Sequence, residues 1–163
     1  NGVYPSINGL PDRKRRISTL SYYIYKKKGS PLNWDGRRFT GFDRYDIRNS
    51  IGANTGYSVV LDLKKMGLHV DDGSRTTHQN FLKLQSGRII GFAHQDLVAD
   101  NYLDLNRIRD IEKIPVPFVQ KDYFLMINRE YYRENRQIAE RFWNEIAKIR
   151  DRKTAEIMYK YTD

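Results

Sequence analysis

From residue 17 onward the apolar positions change their period several times along the chain. Residues 17–28, Ile-Ser-Thr-Leu-Ser-Tyr-Tyr-Ile-Tyr-Lys-Lys-Lys, are dense in β-branched and aromatic side chains and predict a long strand. Ser30-Pro31-Leu32-Asn33-Trp34-Asp35-Gly36 has turn chemistry. A second strand is predicted over 47–53, a first helix over 56–66 that stops at Gly67, and a short third strand over 68–70. A helix over 76–84 carries Phe81, Leu82 and Leu84, with Thr76 or Thr77 as its cap and Ser86-Gly87 as its end. Arg88-Ile89-Ile90-Gly91-Phe92-Ala93 is too short an apolar run for a helix and reads as a buried parallel strand. A helix over 96–103 and strands over 111–116 and 122–128 follow. From Arg129 the period is helical: Ile138, Phe142, Ile146 and Ile149 fall on one face, with Ala139 and Trp143 beside it. A further helix is predicted over 154–159, and residues 1–16, rich in Pro, Gly, Asn and Arg, read as a loop.

Strands alternating with helices predict an α/β fold built on an open, mostly parallel sheet flanked by helices. In such sheets ligands sit beyond the carboxyl ends of the strands. That rule places the turn at Gly56 and the segment after Ala93 on the same edge. The stretch Ile51-Gly52-Ala53-Asn54-Thr55-Gly56-Tyr57-Ser58-Val59-Val60 reads as strand, glycine-bearing turn and helix start. The first backbone N–H groups of a helix lack intrahelical partners, and the helix dipole favours negative charge there, so this turn is a candidate grip for an acidic group.

The 163 residues, 39% hydrophobic and 30% charged, suit a soluble globular domain or one lobe of a larger protein. No apolar run approaches the ~20 residues that span a bilayer. Asn1 is not a natural start, so the chain is expected to be a trimmed or processed piece. With no cysteine there are no disulfides and no thiolate metal sites. His69, His78 and His94 lack zinc-ligand spacing and read as surface or loop residues, so neither metal nor cofactor is expected.

The net charge of +9 is spread along the chain, apart from Arg13-Lys14-Arg15-Arg16 and Lys26-Lys27-Lys28, which read as solvated strand ends. No recurrent nucleic-acid motif accompanies it, so no nucleic-acid partner is expected. Nor is there a Ser–His–Asp arrangement, an HExxH or a Gly-Lys-Ser/Thr phosphate loop. Glu130, Glu134, Glu140 and Glu145 read as the solvated face of a helix, so no catalytic residue is assigned and the chain is not read as an enzyme. Tyr22, Tyr23, Tyr25 and Trp34 are expected to pack a core.

Several segments in order carry a resemblance: a loop with Arg13, a strand over 18–28, a strand and turn over 47–58, a helix, Leu84-Gln85-Ser86-Gly87-Arg88 before a strand, Asp122-Tyr123-Phe124-Leu125-Met126-Ile127 as a returning strand, and closing helices. This order resembles the type II periplasmic solute-binding proteins, specifically the family (family 3) of amino-acid receptors of ABC importers. The resemblance implies two α/β lobes joined by two crossing strands, with a ligand held between them. It implies that residues 1–19 are a remnant of the first lobe and hinge. Residues 20–124 would be a complete second lobe, and 125–163 a returning strand and helices of an incomplete first lobe. The stripe from Ile138 to Ile149 would then be exposed, inviting self-association.

Residue by residue, the resemblance carries a ligand site onto this chain. Ser6, Asn8 and Arg13 match the small polar residues and arginine at the end of a first-lobe strand. An arginine fork suits a carboxylate, because two parallel N–H donors meet two oxygens. Gly56, Tyr57 and Ser58 match the second-lobe turn, with Tyr57 departing from the usual small residue. Gln95 stands where amino-acid receptors carry an acidic residue for the ligand's ammonium, and Asp96 follows it. The resemblance therefore implies an extracytoplasmic, periplasmic protein that binds a small polar, carboxylate-bearing solute and meets a membrane permease, without a cofactor. A ligand-sensing domain of a membrane receptor would share the same fold.

Overall fold

Two units share the chain: residues up to 20 together with those from 121 on, and residues 21–120. The computed structural model describes residues 2–158, with side chains up to residue 150. The first stretch contains β1 (Gly2–Val3), β2 (Ser6–Ile7), β3 (Leu10–Pro11) and a 3-10 turn (Arg13–Arg15), and the long β4 (Ser18–Lys27) follows. Next come β5 (Asn33–Trp34), β6 (Phe39–Thr40), β7 (Ile51–Asn54), α1 (Val59–Lys65), β8 (Val70–Ser74), α2 (Thr77–Gln85), β9 (Gly91–Gln95), α3 (Asp96–Leu105) and β10 (Ile111–Lys113). The chain closes through β11 (Val119–Tyr123), β12 (Ile127–Asn128), α4 (Arg129–Glu134) and α5 (Arg136–Met158).

The second unit is a sheet in the order β10-β4-β9-β7-β8, with β11 also paired to β4. β9, β7 and β8 run parallel, each linked to the next by a helix, as alternating periods require. β4 lies antiparallel to β9 and to β10. Helices α2 and α3 pack with β9, and α1 packs on β7 and β8. One core cluster joins Tyr25, Phe81, Leu84, Ile89, Phe92, Ala99, Leu103 and Ile111. Phe81 meets Phe92 edge-on and stacks on Tyr102 with ring centroids 5.0 Å apart. Burying each such side chain contributes about 1.5–3 kcal/mol. Of the four aromatics expected in a core, Tyr22, Tyr25 and Trp34 are core residues, while Tyr23 is half-buried and packs against the cluster. Burial, and then a hydrogen bond to Asp100, push the Tyr25 phenol far above its ordinary range, so it stays a neutral donor.

Several boundaries differ from the sequence reading. β7 starts at Ile51 rather than 47, because Asp43 and Asp46 accept the backbone N–H groups of Tyr45 and Arg48 and hold residues 43–49 as successive turns. The expected turn over 30–36 holds strand β5, which pairs with β6 so that Trp34 meets Phe39. The segment expected as one strand over 122–128 is split between β11 and β12. The expected separate helix over 154–159 is the continuation of α5 to Met158; Tyr159 lies outside the described residues.

In the first unit the expected loop is partly structured. β2 and β3 form a hairpin whose two-residue turn is Asn8-Gly9, both at positive φ (52° and 77°). Helix α5 lies against the 3-10 turn through a charged network. Arg15 pairs with Asp12 and with Glu140, and its guanidinium lies over the Trp143 ring, 5.7 Å from the centroid. Tyr132 donates to Glu140 at 2.7 Å, and Trp143 Nε1 donates to Leu125 O at 2.9 Å. Glu140 is therefore not part of a purely solvated face, and the basic run from Arg13 is not merely a solvated end: Arg13 and Arg16 both meet Asp122. Ala139 and Trp143 are the buried side of α5, while Ile138, Phe142 and Ile149 are 48%, 60% and 44% exposed. The apolar stripe and the core face of this helix are thus different faces.

Burial acts to raise the Glu140 carboxyl, but hydrogen bonds from Tyr132 and Arg15 outweigh it and hold the group below its ordinary range. A depressed carboxyl contributes stability that is present above its unfolded value and is lost as pH falls through the folded one. Acid titration of folding should therefore show a loss below the ordinary carboxylate range. Glu140→Gln should lower stability at neutral pH and flatten that acid limb; an unchanged limb in urea melts from pH 7 to 3 would remove Glu140 as its source.

Candidate functional site

Because β7, β8 and β9 are parallel, their carboxyl ends share one edge of the second unit's sheet, and three loops leave from it. The loop after β7 is Thr55, Gly56, Tyr57 and Ser58. Thr55 Oγ1 donates to Asp72 O and Ser74 O, fastening this loop to β8. Gly56 has φ +81°, a left-handed conformation that strains any residue with a Cβ, although a Cβ here would meet nothing within 4 Å. The glycine serves the turn rather than close packing. Ser58 precedes α1 with helical backbone angles and makes no side-chain cap bond to it. Helix α1 is short, and the Val60 N–H is bonded to Tyr57 O at 3.1 Å. With the Tyr57 N–H bonded to Asn54 O as well, the turn offers fewer open amides than the sequence leads one to expect.

The second loop leads from β8 to α2, where Thr76 is the N-cap and accepts the Gln79 N–H. The third joins β9 directly to α3. Gln95 Nε2 donates to Tyr22 Oη at 3.2 Å, and Asp96 Oδ1 accepts the Leu97 N–H at 2.9 Å in the first turn of α3.

Beneath this rim lies a layer of buried polar side chains: Asn54, Ser74, Thr77, Asn80 and His94. Asn80 Nδ2 donates to Asn54 Oδ1 at 2.8 Å, tying α2 to the end of β7. The close approach depends on Gly52, where a Cβ would come within 2.5 Å of Ile89 and 3.2 Å of Asn80 Oδ1. His94 is fully buried, which corrects the expectation that all three histidines are surface or loop residues. It sits on β9 between β4 and β7, so the strand's central place in the sheet overrides the usual preference of histidine for partial exposure.

No protein-family model and no curated protein sequence matches the chain. Solved structures do. It superposes on holo ArgBP from T. maritima with TM-score 0.57 at 14% identity, covering 90% of this chain and 55% of that one. The GluR0 ligand-binding core in complex with L-glutamate gives TM-score 0.62 at 12% identity, covering 91% and 62%. The probable amino-acid ABC transporter extracellular-binding protein ytmK from Bacillus subtilis gives TM-score 0.58 at 12% identity, covering 95% and 61%. The fold is periplasmic-binding-protein-like. This chain spans between 55% and 62% of the length of the neighbours quoted.

Within this periplasmic-binding-protein-like fold, the structure brings Gly56, Tyr57, Ser58, Gln95 and Asp96 to one rim of the second unit. Ser6, Asn8 and Arg13 belong to the first unit. There Ser6 is exposed on β2, Asn8 is a turn residue whose left-handed backbone accounts for its identity, and Arg13 is 76% exposed with Nε bonded to Asp122. Thr77 and His94 escape a motif-based reading because neither has a characteristic spacing. The signal that could have found His94 is its place inside the apolar β9 run. Among the described residues no group of three or more His, Asp or Glu could hold a metal ion, and no helix is long and apolar enough to cross a membrane.

The Asn54–Asn80 pair leaves Asn54 Nδ2 and Asn80 Oδ1 without a partner among the described residues. Asn80→Ala orphans Asn54 Oδ1 and should cost about 1–3 kcal/mol, whereas in Asn54→Ala the Asn80 amide keeps its bond to Thr76 O at 3.4 Å and the loss should be smaller. The double substitution should cost less than the sum, by about 0.5 kcal/mol or more in a double-mutant cycle; additive losses in urea denaturation would show that the pair is not coupled.

Proposed function

We propose that this protein binds and releases a small polar, carboxylate-bearing solute without transforming it, and that its second unit grips the solute at the sheet rim. The observation that carries this reading is the convergence of Gly56, Tyr57, Ser58, Gln95 and Asp96 on the carboxyl edge of β7 and β9, where open α/β sheets bind ligands. The Ser58 hydroxyl supplies a donor for the solute's acidic end, and Asp96 supplies the rim's negative charge. The structural neighbours support it: a mutant of ArgBP from T. maritima is arginine-bound, and the GluR0 core is in complex with L-glutamate. Within the first unit, Arg13, with Ser6 and Asn8, is proposed as a carboxylate-binding group. The solute would be delivered to a membrane permease for ABC-type import, in the periplasm. The likeness to the GluR0 core favours a second reading, in which the same fold senses its ligand for a membrane receptor.

Isothermal calorimetry with L-arginine, L-glutamine, L-glutamate, dicarboxylic acids and small amines tests the reading. Binding of at least one carboxylate is expected, weakened about ten- to hundred-fold in Ser58→Ala and in Arg13→Ala, the range for a hydrogen bond to a charged group. Gln95→Asp should shift preference toward cationic amines. No binding across the panel overturns the function; unchanged affinity in a variant removes that residue from the site.

The exposed apolar face of α5 fits a contact with another chain. Ile138, Arg141, Phe142 and Glu145 line a groove of about 380 Å³ along it. Light scattering should show self-association that Phe142→Ser reduces, and a concentration-independent monomer would exclude it.

A further inference from the structure

Each of the three rim loops is fixed to the same side chain. Gln95 N–H donates to His94 Nδ1 at 2.7 Å. Because Nδ1 accepts, the ring proton is on Nε2, which faces Thr77 Oγ1 at 2.8 Å and donates to it. The ring meets Tyr57 edge-on with centroids 5.6 Å apart and Phe92 edge-on at 5.0 Å. Tyr57 belongs to the loop after β7, Thr77 to the start of α2, and Gln95 to the β9–α3 junction. We propose that His94 is the positioning residue of the solute site: one neutral, fully buried imidazole sets the three rim loops in mutual register. This rests on the reading of the rim as a solute site.

The chemistry explains why histidine suits the position. The site needs an acceptor beside the strand end, a donor about two bonds further out, and a flat ring against Tyr57. Neutral imidazole provides all three on one rigid frame. Asparagine can reproduce the acceptor and glutamine the donor, but neither provides both. A leucine fills the space and leaves the Gln95 N–H and Thr77 hydroxyl without these partners, which is costly in a buried place. The contacts lie below the rim, so His94 acts through Tyr57, Thr77 and Gln95 rather than by touching solute.

The test compares His94→Leu, His94→Asn and His94→Gln with the wild type by calorimetry against L-arginine, L-glutamine and L-glutamate. Amide hydrogen exchange of the unliganded protein is followed in parallel. In His94→Leu, affinity for the amino acid bound by the wild type should fall at least ten-fold. Exchange should quicken around Tyr57, Thr77 and Gln95, while Phe81 and Leu84 stay protected. His94→Gln should restore protection around Thr77 but not at Gln95, and His94→Asn the reverse; these two carry the test if the leucine variant does not fold. Wild-type-like affinity in all folded variants, or loosening shared equally by Phe81 and Leu84, overturns the role and leaves the solute reading standing. A wild type that binds none of the three amino acids, or any carboxylate of the wider panel, overturns both, whatever the exchange shows.

Discussion

The central place of β9 governs the second unit. Flanked by β4 on one side and β7 on the other, its residues from Gly91 to His94 are all buried. A strand in that position must satisfy every polar group internally, whether backbone or side chain. Phe92 and Ala93 meet the demand by being apolar. His94 meets it by binding the next residue's amide on one side and a helix-start hydroxyl on the other. The last turn of the strand therefore cannot be built without fixing the loops around it.

The glycines at the helix ends reinforce this. Gly67 and Gly87 adopt positive φ directly after α1 and α2. The following residues bond back to Leu63 O and Lys83 O, closing each helix with a left-handed cap. The chain is thereby turned into β8 and toward β9 within a few residues. The parallel strands stay in register, and their carboxyl ends stay together at the rim.

Elements with strong local chemistry were legible in the sequence. β4 announces itself by ten residues of β-branched and aromatic density, and α2 by its Thr76 cap and Ser-Gly stop. The alternation that implies parallel strands was legible too, and with it the edge on which the rim loops gather. Features that depend on partners distant in sequence were not. The Asn8-Gly9 turn is a hairpin signal, but two-residue strands have too little pattern around it to be read. Glu140 looks like a surface glutamate until Arg15, 125 positions away, is brought against it. Asp43 and Asp46 delay β7 through local side-chain bonds that compete with the strand. His94 has no motif, and its role appears once the order of strands is known.

Among the described residues the sheet ends at β8, whose outer side has no neighbouring strand. This strand carries Asp71 and Asp72 in succession, salt-bridged to Lys83 and Lys64 at 2.6 and 2.8 Å, followed by Gly73. Charged, glycine-containing borders of this kind resist the docking of an extra extended segment. The unit can thus keep a mixed sheet with an open border without templating fibrous aggregates, because the strand most suited to ladder formation is the one that carries the ion pairs.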